Sequence, residues 1–184
     1  GISSYNSIRT IEAYKILKDM GVPLLIHQPS YSMLNRWIES DDLLKSLDEI
    51  GAGCIAFSPL AQGMLSDKYL SGIPKESRAT QKDTELSLDF LNNDTLENIN
   101  QLTKIAKQRG QNLAQMALSW VLRHKQITSA LIGSRSVKQL NECLDSLNNL
   151  NFSKSELKEI DKFAKEEKIN LWEPSDRKST RLNS

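Results

Sequence analysis

Cysteine is scarce in this chain. Cys54 lies in an apolar run and Cys143 in a helical one, and two thiols so placed form neither a disulfide framework nor a metal-ligand cluster. Such usage suits a reducing cytosol, and no metal site is expected. Excess charge of one sign is also lacking: 24 basic against 23 acidic residues leave a formal net charge of +1. No basic field is therefore available to attract nucleic acid or an anionic membrane. Long apolar runs are missing as well, the longest falling far short of the ~20 residues of a membrane span, and the opening residues are neither basic nor signal-like. A cytoplasmic protein is expected, with small molecules left open as ligands. Two nucleotide-binding signatures are absent too. No strand runs into a Gly-rich dinucleotide fingerprint and no phosphate-loop lysine motif occurs, which lowers the Rossmann and nucleoside triphosphatase classes.

What is present fits one ordinary globular domain: 184 residues, 39% of them hydrophobic. Gly1-Ile2-Ser3-Ser4-Tyr5 reads as the end of a buried strand, which needs neighbours on both edges, and a preceding N-terminal portion is expected. Ser7 is placed to cap a helix through Ile8, Ile11, Tyr14, Ile16 and Leu17, with Gly21 as its stop and Pro23 beyond. Leu24-Leu25-Ile26-His27-Gln28, ended by Pro29, predicts a strand covered by helices on both faces. Leu43, Leu44, Leu47 and Ile50 predict a helix whose N-terminal end is favoured by Asp41 and Asp42 and which Gly51 or Gly53 closes. Cys54-Ile55-Ala56-Phe57 predicts a strand running into a loop at Ser58-Pro59-Leu60-Ala61-Gln62-Gly63.

Residues 66–94 are polar, lack a sustained period and read as a functional or mobile loop. Helical periodicity returns at Leu96, Ile99, Leu102, Ile105 and Ala106, breaks at Gly110 and resumes at Leu113, Met116, Ala117, Trp120 and Val121. Ser129-Ala130-Leu131-Ile132 reads as the last strand. Gly133 then opens a turn into a helix through Val137, Leu140, Leu144 and Leu147, and a Ser-capped helix over residues 155–168 ends near Trp172. Strand and helix in alternation predict a parallel sheet of βα units, as a barrel or a doubly wound sheet; with no fingerprint present, the barrel leads.

The runs GISSY, LLIHQPSYSMLNR, CIAFSPLAQGMLSDKYLSGIP, AQMALSWVL and LIGSRSVKQLNE together resemble the aldo-keto reductases. The similarity extends from Gly1 to about Trp172 and is nearest the branch that contains L-glyceraldehyde 3-phosphate reductases and the β subunits of voltage-gated potassium channels. It implies an α/β fold, the C-terminal half of a (β/α)8 TIM barrel that supplies strands five to eight over residues 1–175, an incomplete barrel with the first four strands absent. It also implies NADPH lying across the C-terminal ends of the strands, the usual site face of a barrel.

On that resemblance Ser3, Ser4 and Gln28 hydrogen-bond the nicotinamide carboxamide, although many members have Asn where Ser4 stands. Phe57 stacks on the nicotinamide ring. Ser58, Pro59, Leu60, Ala61, Gln62 and Gly63 form the loop around the pyrophosphate, where backbone N–H groups and a close-approaching glycine meet phosphate oxygens. Lys68 and Arg78 match basic residues of the loop that closes over the cofactor. Gly133, Arg135, Gln139 and Glu142 match the turn and helix start that hold the adenosine and its 2′-phosphate, and Arg135 favours NADPH over NADH. Cys143 stands where the family usually has Asn, and a thiol is a weak partner for an adenine edge.

The family's chemistry, hydride transfer to an aldehyde or ketone with a Tyr as acid and Lys, Asp and His in support, is expected to reside in the absent half. His27 and His124 read as structural, and Tyr5, Tyr31 and Tyr69 have no Lys at motif spacing, so this chain alone is expected to be inactive. The parent is expected to reduce small aldehydes such as glyceraldehyde 3-phosphate or methylglyoxal, with other copies of itself as partners if it oligomerises. The alternative is an NADPH-sensing regulatory subunit like the channel β subunits. Residues 176–184, DRKSTRLNS, abandon helical patterning and read as a sequencing adapter translated as codons, a non-native tail.

Overall fold

The computed structural model describes residues 1–66 and 92–165, so Lys68, Arg78, Trp172 and the 176–184 tail lie outside the described residues. Four parallel strands form one sheet in the order β1-β2-β3-β4: β1 Ile2–Ser3, β2 Ile26–Gln28, β3 Gly53–Ala56 and β4 Ile127–Ala130. Helix α1 (Ser7–Asp19) joins the first pair; α2 (Trp37–Ser40) and α3 (Leu43–Ile50) join the second. Helices α4 (Asn93–Gln108) and α5 (Leu113–Val121) precede β4, and α6 (Val137–Leu144) and α7 (Lys154–Phe163) follow it.

A strand order that never reverses has no switch point of the kind a doubly wound sheet needs, and right-handed crossovers then put the connecting helices α1 to α5 on the same side. Burial agrees. Cys54 and Ala56 are buried while Gly53 and Ile55 between them are half-buried, and His27 is buried between half-buried Ile26 and Gln28. Helices therefore cover one face, where the apolar run of β2 had suggested two. The result is a parallel α/β fold, consistent with a (β/α)8 barrel. Its core lies between sheet and helices, where Tyr31, Leu34, Ile38, Leu47, Leu102, Met116 and Trp120 are fully buried. Among the described residues no helix is long and apolar enough to cross a membrane.

Several local expectations shift. Asn6, with extended backbone, is the N-cap of α1, its Oδ1 accepting from the Arg9 N–H at 2.9 Å. Ser7 instead donates its N–H to the Asp41 carboxylate at 2.6 Å. Asp41 thus serves α1 rather than α3, while Asp42, left-handed at φ 57°, makes no side-chain cap. Gly51 closes α3 at φ 68°, a conformation that favours glycine. Helix α4 starts inside the stretch read as loop, and the short α2 went unseen because four residues carry no period. Ser153 and Glu156 form the capping box of α7, two residues upstream of the expected start.

Strand β4 begins earlier than its residues 129–132 suggest. Ile127 pairs with Cys54 and Ser129 with Ile55, so Thr128 is the extra residue of a bulge. Its Oγ1 accepts the Cys54 N–H at 3.1 Å, which satisfies a donor the bulge would otherwise strand. Gly53 makes room for this: a Cβ there would lie 2.9 Å from Thr128 Oγ1 and 3.0 Å from Ile26 Cδ1. Gly53→Ala is expected to cost roughly 1–3 kcal/mol through overpacking, read as a lower urea midpoint at constant m-value. An unchanged midpoint would mean the sheet absorbs the methyl group.

Candidate functional site

Because the four strands are parallel, their C-terminal ends lie along one edge of the sheet, and the residues that follow them gather there. Ser3 pairs in register with Gln28. The Ser3 hydroxyl donates to the Gln28 carbonyl at 2.8 Å, the Ser4 N–H to the same oxygen at 3.2 Å, and the two serine hydroxyls stand 3.4 Å apart. Ser4 is left-handed at φ 56°, which turns the chain sharply off β1. The Gln28 backbone is thus tied down, while its carboxamide makes no hydrogen bond among the described residues.

Phe57 follows β3 and is clamped by the chain that leaves β2. Its N–H donates to the Pro29 carbonyl at 2.9 Å, and its own carbonyl accepts the Tyr31 N–H at 3.1 Å. The turn after it is strained: Ser58, Ala61 and Gln62 have φ of 54°, 45° and 58°, and Gly63 has 96°. Left-handed non-glycine residues cost of order 1–3 kcal/mol each and persist where the surroundings over-determine them, often at binding sites. Pro59 and Ala61 are buried, so what they offer a ligand is backbone. The turn's own bonds run from the Ala61, Gly63, Met64 and Leu65 N–H groups to the Ser58, Leu60, Ala61 and Leu60 carbonyls, and leave out the Ser58 and Leu60 N–H groups.

Beyond β4, the Leu131 N–H still bonds the Ala56 carbonyl at 2.8 Å, which keeps the start of the last connection beside the end of β3. Gly133 and Arg135 are exposed. Ser136 caps α6 by accepting the Gln139 N–H at 3.2 Å, and Gln139 Oε1 in turn accepts the Arg135 N–H at 2.9 Å. Gln139 therefore has its amide nitrogen left to offer, and the Arg135 guanidinium is engaged by no described residue. Glu142 sits one turn further on, 4.0 Å from Lys138. Half-buried Cys143 has its thiol pushed up by burial and by the Glu142 carboxylate.

The buried His27 and Tyr31 are held by contacts within the fold. His27 is fully buried, and its Nε2 must carry the proton, because it lies 3.0 Å from the Tyr5 carbonyl, which can only accept. Burial drops its pKa to about 4, with the Tyr5 bond opposing. An unfolded His takes up a proton near its ordinary 6.5, so stability should fall as pH drops from about 6.5 to 4, by on the order of 3 kcal/mol in all. His27→Gln should flatten the unfolding midpoint over that window; a slope that survives the substitution would assign it to another group. Burial raises the Tyr31 hydroxyl well above its ordinary value, with Arg123 opposing and Glu39 adding, so it is a poorer proton donor than a free tyrosine. Burial also lifts the Cys54 thiol to about 12 and leaves it unreactive.

Sequence reasoning missed one cluster altogether. Glu39 accepts from the Tyr31 hydroxyl, from Arg36 Nη2 at 2.8 Å and from Arg123 Nη2 at 2.8 Å. Arg123 Nη1 also donates to the Tyr31 oxygen at 2.7 Å. Glu39 and Arg123 are 84 residues apart and Tyr31 and Arg123 are 92 apart, so no spacing could have signalled it.

The strand-end edge thus carries paired hydroxyls, an unengaged carboxamide and a strained turn. The chain belongs to the aldo/keto reductase family, whose profile matches residues 1–165. It is similar to the L-glyceraldehyde 3-phosphate reductase of Escherichia coli strain K12, 47% identical over 178 residues that cover 95% of this chain and 51% of that protein. The protein of the same name from Escherichia coli O157:H7 is 46% identical over 178 residues, with the same coverage of 95% and 51%. The chain thus spans about half the length of the curated relatives it matches.

Proposed function

We propose that this chain is the C-terminal half of a (β/α)8 barrel and forms the NADPH-binding wall of a reductase of small aldehydes, glyceraldehyde 3-phosphate or methylglyoxal among them. The observation that carries the reading is the strained turn at Ser58, Ala61, Gln62 and Gly63, set at the end of β3 with N–H groups outside its own bonding. Such a turn suits a pyrophosphate, because successive backbone N–H groups in left- and right-handed conformations form an anion cradle. The half-barrel reading is supported by groups of apolar residues left exposed on α1 and α6: Ile8 is 67% and Ile16 62% exposed, Val137 74% and Leu144 50%. Apolar residues so placed call for further neighbours.

Ser3, Ser4 and the free Gln28 carboxamide would hold the nicotinamide carboxamide, and Phe57 would lie against the ring. The 58–63 backbone would take the pyrophosphate, with Lys68 and Arg78 contributing charge. Gly133 would let the chain approach the adenosine. The α6 N-terminus and Arg135 would meet the 2′-phosphate, the Gln139 amide and Glu142 the adenosine. NADPH would supply the hydride. The proton would come from a group outside this set, and neither Tyr31, made a poorer acid by burial, nor His27, whose pKa burial lowers to about 4, suits that work.

The test is NADPH oxidation, followed by its absorbance, by the full-length protein with each aldehyde. Consumption is expected, and Arg135→Ala should raise KM for NADPH by roughly tenfold, the loss of one charge-assisted contact, while leaving NADH unchanged. Tight NADPH binding without turnover would favour a cofactor-sensing subunit instead. No binding at all would end the reading.

A further inference from the structure

We propose that Tyr31 is a positioning residue for the nicotinamide end of the cofactor, holding Phe57 in place from behind through a brace of Glu39 and Arg123. It rests on the reading above in which Phe57 faces the nicotinamide ring. Tyr31 is bonded in two directions. Its backbone N–H holds the Phe57 carbonyl at 3.1 Å, and two residues earlier the Pro29 carbonyl holds the Phe57 N–H at 2.9 Å. Both backbone groups of Phe57 are therefore fixed by the segment that runs from Pro29 to Tyr31.

The far end of that segment is fixed by side chains. The Tyr31 hydroxyl donates to Glu39 and accepts from Arg123 Nη1 at 2.7 Å, and its ring stacks on Trp120 with centroids 5.3 Å apart. The brace is itself anchored. Arg123 lies over the Trp120 ring at 3.5 Å and bonds the Trp120 carbonyl at 2.8 Å, while Arg36 joins Glu39 to Asp161 of α7 at 2.7 Å. Ser30, between Pro29 and Tyr31, accepts from Asn35 Nδ2 at 3.0 Å through its hydroxyl and from Trp37 Nε1 at 2.8 Å through its carbonyl, so the loop has little slack. A rigid second layer of this kind sets the geometry of contact residues on a strand end.

Tyr31→Phe removes only the hydroxyl and leaves the backbone bonds and the Trp120 stack. The variant and the unaltered full-length protein would be titrated by calorimetry with NADPH and with 2′,5′-ADP, which carries the adenosine phosphates but no nicotinamide. Tyr31→Phe should raise Kd for NADPH about fivefold to tenfold and leave that for 2′,5′-ADP within about twofold. Glu39→Gln, a weaker acceptor for the same hydroxyl, should show the same split with a smaller rise. Equal weakening toward both ligands would mean general loosening and overturn the assignment, as would unchanged affinity for both. If the unaltered protein fails to bind NADPH, the reading of the site falls and takes this one with it; if it binds and the two ligands weaken together, only the role of Tyr31 falls.

Discussion

Arg109→Met should lower folding stability by about 2–3 kcal/mol, less than breaking a fully buried ion pair because the partner Glu156 is 34% exposed. The Arg109 side chain is 3% exposed and pairs with Glu156 of α7. Its Nε donates to Gln111 Oε1 at 3.1 Å, and its Nη2 to the Asn151 and Asn149 carbonyls at 3.0 and 3.3 Å. The guanidinium lies 3.7 Å from the Phe152 ring centroid. A Met fills similar volume but leaves these acceptors without a donor, and a buried unsatisfied acceptor costs about 1–3 kcal/mol on its own. Arg109→Lys should recover less than half of the loss, because an ammonium cannot make the planar fork. Urea unfolding of the three proteins reads this directly. A loss below about 1 kcal/mol would place the pair among surface ion pairs.

Glu39→Gln should cost about 2–3 kcal/mol at neutral pH, somewhat below a fully buried pair because the Glu39 side chain is 23% exposed. Burial alone would raise this carboxyl; contacts with His124, Arg36, the Tyr31 hydroxyl and Arg123 outweigh it and hold the group well below the ordinary carboxylate range. A depressed carboxylate stabilises the fold above the unfolded value of about 4.5, and that contribution is lost as pH falls below it. The unaltered chain should therefore lose stability below about pH 4.5, and Glu39→Gln should be weaker throughout but flatter there. This window lies below most of the His27 window, so unfolding midpoints taken from pH 7 to 3 separate the two groups. An equal slope in both proteins would remove Glu39 from the account.

Much of the fold was legible because its determinants are local. The 3.6-residue period of Leu96, Ile99, Leu102 and Ile105 needs only neighbours four residues away, and α4 covers those positions. Gly51 was one of two residues expected to end α3 and does so by its own left-handed backbone. Boundaries were less legible. Asn6 rather than Ser7 caps α1, the Ser7 N–H being taken by Asp41 from beyond β2, and the Thr128 bulge, bonded to the Cys54 N–H, shifts β4; both involve a partner distant in sequence. In the candidate site, the strand-end positions of Ser3, Gln28 and Phe57 follow from parallel pairing alone. The left-handed backbone of Ser58, Ala61 and Gln62 does not, since none of these residue types favours it.

By itself, then, the sequence determined the alternation of strands and helices and the family, both of which rest on pattern along the chain. Tertiary structure alone decided that Asp41 serves a helix 34 residues upstream, that Arg109 is buried rather than solvated, and that Tyr31, Glu39 and Arg123 meet. The reason is physical. An ion pair or a buried hydrogen bond acts over a few ångströms in space, whatever its separation along the chain, and its strength is set by the water that packing removes around it.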